Sequence, residues 1–256
     1  MPLACLDGDV RDSAEALIPV TDEGLLRGDG VFEVVRLYGG RPFALDDHLA
    51  RMARSAANLR LPFDAEAMRA DAETLLAAAE HGDAKLRLVV TRGGRRIAIV
   101  EPLLDALPSA ALALIEYAPV RTLDGVKSLS YGANMLATRL AKEEGADEAL
   151  LTTPHGRLLE GPTQSFFCVL GGDLVTPPLS EHILDSITRR RLLDVVEVVE
   201  RPLTRDDIPR MEEAFLASTT REVLPVHAID GRELPAPGRR TREAAERLRE
   251  RIEAEL

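Results

Sequence analysis

Lys127 is the side chain in this sequence whose type and position suggest covalent chemistry. It follows a segment without periodicity and precedes a predicted helix. A lysine at such a junction can be buried, and burial favours the neutral amine, which can form a Schiff base with an aldehyde. Lys127 is therefore a candidate for attachment of a carbonyl cofactor. The alternative is a solvated surface lysine in a loop.

Two other groups that such a cofactor needs occur later in the chain. Glu160 follows a predicted hairpin, and a carboxylate there could hold a pyridine nitrogen in its protonated form. Ser186 precedes a predicted helix, whose free amides could bind a phosphate group. Thr219, after a predicted strand, could add a hydroxyl to the same phosphate. Each stretch taken alone also fits an ordinary turn or helix cap.

Taken together and in this order, these stretches resemble the class IV aminotransferases, which are the fold type IV pyridoxal-phosphate enzymes. The resemblance covers nearly the whole chain. It is carried by residues 28–33, 48–51, 127–131, 145–150, 160–161, 187–189 and 218–223. It implies a two-domain α/β (α+β) fold with the cofactor at the domain interface. It also implies a homodimer whose partner contributes to the site.

The resemblance also implies a role for individual residues. Lys127 would form the internal aldimine with pyridoxal 5'-phosphate and move a proton between the substrate α-carbon and the cofactor. Glu160 would pair with the pyridine nitrogen, and Tyr131 would lie near the phenolic oxygen. The phosphate would be bound by Arg51, Ile187, Thr188 and Thr219. Phe32 and Thr220 would contact the substrate, and no metal is expected.

Three activities share these cofactor residues. At the position of Glu33 the sequence resembles the transaminases, because the better-known lyases carry a small hydroxyl residue at that position. Val34 and Val35 resemble the D-amino-acid enzymes, whereas branched-chain enzymes usually have Gly after the glutamate. The predicted reaction is transfer of an amino group between a D-amino acid, such as D-alanine or D-glutamate, and a 2-oxo acid. The alternatives are aminodeoxychorismate lysis to 4-aminobenzoate and pyruvate, and transamination of branched-chain L-amino acids.

The sequence departs from the usual D-amino-acid enzymes at two places. Phe32 stands where they have Tyr, and the histidine of their Arg-x-His pair is missing after Gly93. Another basic group must then hold the substrate α-carboxylate. The first candidates are Arg27 and Arg92, and Arg95 and Arg96 are the next. A bidentate arginine is the natural partner of a carboxylate.

His48 precedes Arg51 by about one helical turn, so both should share one helix face. His48 could orient its neighbours, or it could be a structural histidine.

Alternating and helical patterns predict the elements that must position these residues. A β-hairpin (31–38 and 41–45) should precede helices from Asp46 or Asp47 and over 65–80, and strands over 85–91 and 111–117. Residues 118–125 lack periodicity and are predicted to link domains 1–117 and 126–256. The second domain is predicted to contain helices over 133–144, over 188–196 and at the C-terminus, and strands over 148–152, 165–170, 174–176, 213–217 and 223–226.

Composition excludes several classes of function. With 43 acidic and 32 basic residues the net charge is −11, which argues against nucleic-acid binding. Cys5 and Cys168 are far apart and have no metal-ligand pattern near them, so neither a disulfide framework nor a zinc site is expected. The first residues show no signal-peptide pattern and no segment suits a membrane, which predicts a cytoplasmic location.

Overall fold

The structure, a computed structural model, describes residues 3–103 and 107–256, which form two compact units. The first unit contains residues 3–103 together with 126–131 and 255–256. The second contains residues 107–125 and 132–254.

The first unit is built on a six-stranded antiparallel sheet. Its strands are β1 (Leu3–Leu6), β2 (Asp9–Asp12), β3 (Gly30–Tyr38), β4 (Arg41–Pro42), β5 (Ala84–Thr91) and β6 (Arg96–Glu101), in the order β2-β1-β6-β5-β3-β4. Its helices are α1 (Glu23–Arg27), α2 (Leu45–Asn58) and α3 (Ala65–Ala77).

Helices α2 and α3 cover one face of this sheet. Val31 and Val35 alternate with outward-facing residues of β3, as successive strand residues must. They pack in one buried cluster with Leu49 and Met52 of α2 and Met68 of α3. Burial of each such side chain contributes about 1.5–3 kcal/mol to the free energy of unfolding.

A segment from much later in the chain completes the edge of β3. Ser128 is bridged to Val31, the Phe32 amide donates to the Lys127 carbonyl at 3.1 Å, and the Leu129 amide donates to the Gly30 carbonyl at 2.9 Å. Because β4 pairs only with the last two residues of β3, residues 127–129 occupy the other end of the same edge. The backbone on either side of the Lys127 side chain is thus fixed by the sheet.

The second unit contains a ten-stranded mixed sheet. Its strands are β7 (Ala110–Glu116), β8 (Glu148–Thr152), β9 (Arg157–Leu158), β10 (Ser165–Leu170), β11 (Asp173–Thr176), β12 (Val199–Glu200), β13 (Leu203–Thr204), β14 (Glu213–Ser218), β15 (Glu222–Ile229) and β16 (Arg232–Glu233). Nine strands follow the order β12-β11-β10-β14-β15-β7-β8-β9-β13, and β16 pairs with β15. The helices of this part of the chain are α4 (Gly132–Glu143), α5 (Ile187–Val195) and α6 (Arg239–Glu255).

The structure confirms most of the predicted elements and changes some bounds. Helix α2 begins at Leu45, and Ala44, in a left-handed conformation, precedes it without a side-chain cap. The predicted capping residues Asp46 and Asp47 therefore lie in the first turn, where a carboxylate favours the helix dipole. Strand β4 is correspondingly only two residues long, and α3 ends at Ala77 instead of residue 80.

Four elements of the first unit were not predicted. Strands β1, β2 and β6 are at most six residues long, and a short apolar run does not distinguish a strand from other structure by its period. Helix α1 has five residues, none of them buried, so it shows no apolar stripe.

The division into units also differs from the predicted domain boundary. Strand β7, placed by prediction in the first domain, pairs in parallel with β8 and β15 and belongs to the second unit. Residues 126–131, placed in the second domain, belong to the first unit because they pair with β3. No helix in residues 3–103 and 107–256 is long and apolar enough to cross a membrane.

Candidate active site

Lys127 lies against two aromatic rings of the first unit. Its Nζ is 4.3 Å from the centroid of the Phe32 ring and 5.4 Å from that of Tyr131. The two rings contact each other edge to face, with their centroids 5.1 Å apart. The Lys127 amide donates to Oγ of the buried Ser55 of α2 at 3.1 Å. The first unit therefore brings together three residues that were assigned to the site from sequence.

The opposite face of β3 carries a buried ionic cluster. The Glu33 carboxylate accepts hydrogen bonds from Nε and Nη2 of Arg51, both at 2.7 Å. Nδ1 of His48 lies 2.8 Å from Oε2 of the same carboxylate. Glu33 and His48 are fully buried and Arg51 is 5% exposed. The predicted shared helix face of His48 and Arg51 is confirmed, and both side chains contact one carboxylate.

The environment of this cluster determines its protonation. Burial alone would raise the pKa of Glu33, but the charge and hydrogen bonds of Arg51, together with His48, lower that pKa to about 2. Burial lowers the pKa of His48, and this effect exceeds the opposing effect of Glu33. At neutral pH the cluster is thus a carboxylate, a guanidinium and a neutral imidazole. Nε2 of that imidazole has no hydrogen-bond partner among the described residues.

Two glycines allow the loop before β3 to approach the Lys127 segment. Gly28 ends α1 in a left-handed conformation with φ of 68°. Its carbonyl accepts a hydrogen bond from Oγ of Ser130 at 3.3 Å. A Cβ on Gly30 would lie 2.4 Å from the Val90 carbonyl oxygen and 2.6 Å from Cδ1 of Leu129, so only glycine fits between β5 and the Lys127 segment.

The two arginines predicted to bind the substrate carboxylate occupy different environments. Arg92 pairs with both carboxylate oxygens of Asp29, at 2.9 and 3.2 Å, and donates to the carbonyls of Leu59 and Arg60. These four contacts use most of the five donors of a guanidinium, so Arg92 is held in place by its neighbours. Arg27 is at the end of α1, 75% exposed, and paired with Glu23 one turn earlier.

Glu160 is positioned by strand pairing in the second unit. The Leu151 amide donates to its carbonyl, and Oε1 of its side chain accepts from the Leu184 amide at 2.9 Å. Burial, and to a lesser extent the Glu160 charge, raises the pKa of Tyr117. The Glu160 carboxylate is therefore held in place and acts electrostatically on its surroundings.

The predicted phosphate-binding residues lie on adjoining elements of the second unit. Helix α5 is capped by Ser186, whose Oγ accepts from the Arg189 amide at 3.3 Å, and it packs against β14. Within the described residues the amides of Ile187 and Thr188 have no acceptor, as expected in a first helical turn. Thr219 and Thr220 form the turn that follows β14 and are partly exposed.

The donors of each unit suit a part of pyridoxal phosphate. Two free amides, two threonine hydroxyls and a helix N-terminus suit a phosphate dianion. A fixed carboxylate suits a pyridinium nitrogen, and an amine against aromatic rings suits a carbonyl carbon. Sequence reasoning missed the pairing of Glu33 with Arg51 and of Asp29 with Arg92. The available signal was that residues 28–33 contain two acids, Asp29 and Glu33, and that arginines follow later in the chain.

Comparison with known proteins gives a consistent result. Residues 30–229 match the family model described as amino-transferase class IV. A putative branched-chain-amino-acid aminotransferase from Methanocaldococcus jannaschii is 36% identical, covering 89% of this chain and 88% of that protein. A D-alanine aminotransferase from Bacillus licheniformis is 30% identical, covering 97% and 96%. A bifunctional aminodeoxychorismate lyase/D-amino acid transaminase from Mycobacterium tuberculosis is 28% identical, covering 90% and 92%.

Solved structures resemble the whole chain. The branched-chain aminotransferase from Thermoproteus uzoniensis with norvaline has a TM-score of 0.90 and 30% identity, covering 99% of this chain and 95% of that one. A hypothetical aminotransferase from Mycobacterium tuberculosis in a PLP-bound form has a TM-score of 0.88 and 25% identity, covering 99% and 100%.

Proposed function

Because the chain belongs to the class IV aminotransferase family, we propose that it transfers an amino group between a D-amino acid and a 2-oxo acid. The enzyme uses pyridoxal phosphate, as its family does. D-Alanine and D-glutamate are the proposed donors. The similarity to D-alanine aminotransferase over nearly both whole chains, and the Val34-Val35 pair after Glu33, support this choice. The observation that carries the chemistry is the contact of Lys127 with Phe32 and Tyr131.

Lys127 is the proposed catalytic residue. Pyridoxal phosphate, when bound, supplies an electron sink that makes the α-hydrogen of an amino acid acidic. Nζ of Lys127 would hold the cofactor between turnovers and would carry the proton taken from the substrate α-carbon. The Phe32 and Tyr131 rings exclude water from one side of this amine and fix its direction.

The remaining roles concern binding. The Ile187 and Thr188 amides with Thr219 bind the phosphate, since a helix N-terminus favours an anion. Arg51 contributes a guanidinium that Glu33 holds in a fixed plane. Glu160 pairs with the pyridine nitrogen. Thr220, which shares a turn with Thr219, and Phe32 contact the substrate.

A half-reaction panel tests the reaction. The purified protein is loaded with pyridoxal phosphate, mixed with one amino acid at a time, and followed by the loss of its visible absorption. D-Alanine or D-glutamate should convert the cofactor to the pyridoxamine form, and a 2-oxo acid should restore it. Conversion by L-leucine and L-isoleucine alone would establish the branched-chain reaction, which the M. jannaschii relative favours. Release of pyruvate and 4-aminobenzoate from aminodeoxychorismate alone would establish the lyase.

The covalent attachment site of the cofactor can be tested because the chain contains few lysines. The chain has three lysines, Lys85, Lys127 and Lys142. Borohydride reduction followed by peptide mapping should place the cofactor on Lys127. Lys127→Ala should lose the reducible link, while Lys142→Ala, a change at an exposed position of α4, should retain it. A link retained in Lys127→Ala would contradict the assignment.

The active form is proposed to be a homodimer. The first unit exposes four large apolar side chains close together in sequence, which is unusual for a surface in water. They are Leu17, Val20, Leu25 and Leu26, each 59–77% exposed. Light scattering coupled to gel filtration should give twice the chain mass of 27.9 kDa. A monomer at assay concentration would contradict the proposal.

A further inference from the structure

Glu148 is a buried acid of the second unit that the proposed function does not use. It is the first residue of β8 and lies in the stretch 145–150, which contributes to the family resemblance but has no assigned role. Oε1 of its carboxylate lies 3.4 Å from Nη1 of Arg221, and its side chain is 10% exposed. The side chain of Gln164 forms a hydrogen bond with the same carboxylate. One acid thus contacts two side chains that come from different loops.

The first of these loops follows Glu160. The Gly161 amide donates to the Gln164 carbonyl at 2.8 Å and the Gln164 amide donates back at 3.4 Å, so residues 161–164 form a closed turn. A Cβ on Gly161 would lie 3.0 Å from Oε1 of Gln164, because the Gln164 side chain packs against this turn. The carbonyl of Glu160 is held by the Leu151 amide of β8. A displacement of Gln164 would therefore move the residue beside Glu160.

The second loop is the turn that is proposed to bind the cofactor phosphate. Strands β14 and β15 pair through Ser218 and Glu222 and leave residues 219–221 as the turn between them. Oγ of Ser218 accepts from the Arg221 amide at 3.3 Å. Arg221 is the last residue of this turn, and its side chain, 17% exposed, extends to Glu148. The acid thus holds the turn by its last residue.

The polar groups of this cluster are kept at a cost. Burial raises the pKa of Glu148, whereas the charges of Arg221 and Lys142 and the hydrogen bond of Gln164 lower it. Within the described part of the chain, Oε1 of Gln164 and Nη1 of Arg221 are buried without a hydrogen-bond partner. Apolar side chains of similar size would avoid these costs. The fixed geometry that a carboxylate imposes on its partners accounts for the cluster better than stability does.

We propose that Glu148 is a positioning residue that fixes the spacing between Glu160 and the turn 219–221. This inference rests on the proposed function, in which Glu160 pairs with the pyridine nitrogen and the turn binds the phosphate. A pyridine ring with a short phosphate arm is nearly rigid, so a ligand that engages both ends is sensitive to the distance between them. A ligand that engages one end is not. Glu148 therefore favours a phosphorylated pyridine over an unphosphorylated one.

The test compares Glu148→Gln with Glu213→Gln. Gln keeps the shape of the acid and removes its charge. Glu213 begins β14, at the end opposite to both loops, and accepts from two amides in the first turn of α6, so its substitution disturbs the same unit elsewhere. Three ligands are titrated: pyridoxal phosphate, pyridoxal, and inorganic phosphate. Absorbance measures binding of the two aldehydes, and phosphorus NMR measures binding of inorganic phosphate to the cofactor-free protein.

Glu148→Gln should weaken pyridoxal phosphate by about tenfold or more, the loss expected when a charged hydrogen-bonded contact is removed. Its affinities for pyridoxal and for inorganic phosphate should each change by less than about threefold, and Glu213→Gln should change none of the three affinities by more than that. Glu148→Asp, which keeps the charge, should recover part of the affinity for pyridoxal phosphate. Equal losses for pyridoxal phosphate and inorganic phosphate would place the effect in the phosphate turn alone and would overturn the inference. An unchanged affinity for pyridoxal phosphate would also overturn it.

Hydrogen exchange of the cofactor-free protein gives a second measurement, which remains available if Glu148→Gln does not fold. Arg221→Met removes only the partner on the phosphate turn. It should nevertheless speed exchange of the Gly161 and Gln164 amides by about tenfold, because Glu148 joins the two loops, and Glu213→Gln should leave both amides unchanged. Unaltered exchange of both amides in Arg221→Met would contradict the inference. If the wild-type protein takes up no pyridoxal phosphate, the proposed function fails instead, and the exchange rates still decide whether Glu148 couples the loops.

Discussion

Glu33 and Arg51 form a bidentate ion pair between β3 and α2, with both N–O distances at 2.7 Å and Glu33 fully buried. The carboxylate also contacts His48, so one acid of the strand orients two side chains of the helix. This geometry explains how a guanidinium assigned to the cofactor phosphate can be held rigid on α2.

Replacing Glu33 by Gln should destabilise the protein strongly. The change leaves the Arg51 charge buried without its counterion, which costs about 3–5 kcal/mol. Urea unfolding at neutral pH measures the effect. Glu23→Gln, which breaks the exposed pair with Arg27, should cost less than about 1 kcal/mol. Equal effects of the two changes would contradict a special role for the buried pair.

The same pair should make stability depend on pH in the acid range. The pKa of Glu33 is near 4.5 in the unfolded chain and about 2 in the folded protein. Its contribution of about 3 kcal/mol is complete above pH 4.5 and is lost as the pH falls towards 2. The difference in unfolding free energy between the wild type and Glu33→Gln should therefore narrow over this range. A constant difference between pH 5 and pH 3 would show that Glu33 does not titrate as expected.

Gly30→Ala should displace the Lys127 segment. The new Cβ would overlap the Val90 carbonyl and the Leu129 side chain, and overpacking of this kind costs about 1–3 kcal/mol. Covalent loading with pyridoxal phosphate should become slower or incomplete, as followed by absorbance. Gly82→Ala is the matched control, because its Cβ would meet nothing within 4 Å. Normal loading of Gly30→Ala would show that residues 127–129 can shift without impairing attachment of the cofactor to Lys127.

Substitution by Met should lower the melting temperature at Arg92 but leave it nearly unchanged at Arg87. Arg92→Met removes the contacts that join Asp29 to the carbonyls of Leu59 and Arg60, so its melting temperature should fall. Arg87→Met removes one ion pair with the partly exposed Glu101, so its melting temperature should stay close to that of the wild type. Differential scanning calorimetry of the two variants measures both melting temperatures. A larger fall for Arg87→Met would indicate that Arg87 serves the fold.

Short stretches of sequence were sufficient to predict the elements that have a regular hydrophobic period. Strand β3 alternates, and α2 repeats Leu49, Met52 and Ala56 on one face, so both could be predicted from short windows. Strand β6 could not, since its central run Ile97–Val100 is too short to show a period. The order of short motifs identified the cofactor residues by resemblance to the family. It did not predict where these residues lie in three dimensions.

Contacts between distant parts of the chain could not be predicted in this way. The contact of Lys127 with Phe32 depends on the pairing of two segments almost a hundred residues apart. The engagement of Arg92 by Asp29 similarly depends on which residues of β3 and β5 are opposite each other. A charged residue at a strand end gives the same sequence pattern whether its side chain meets a ligand or a neighbouring acid.

The place of residues 127–129 on the edge of β3 has a consequence for synthesis. A nascent chain that ends near residue 103 has made every other strand of that sheet, but the edge beside Gly30 and Val31 is still open. The unit is completed only after the chain has entered the second one and returned. On the ribosome, Lys127 is therefore among the last residues to join its sheet.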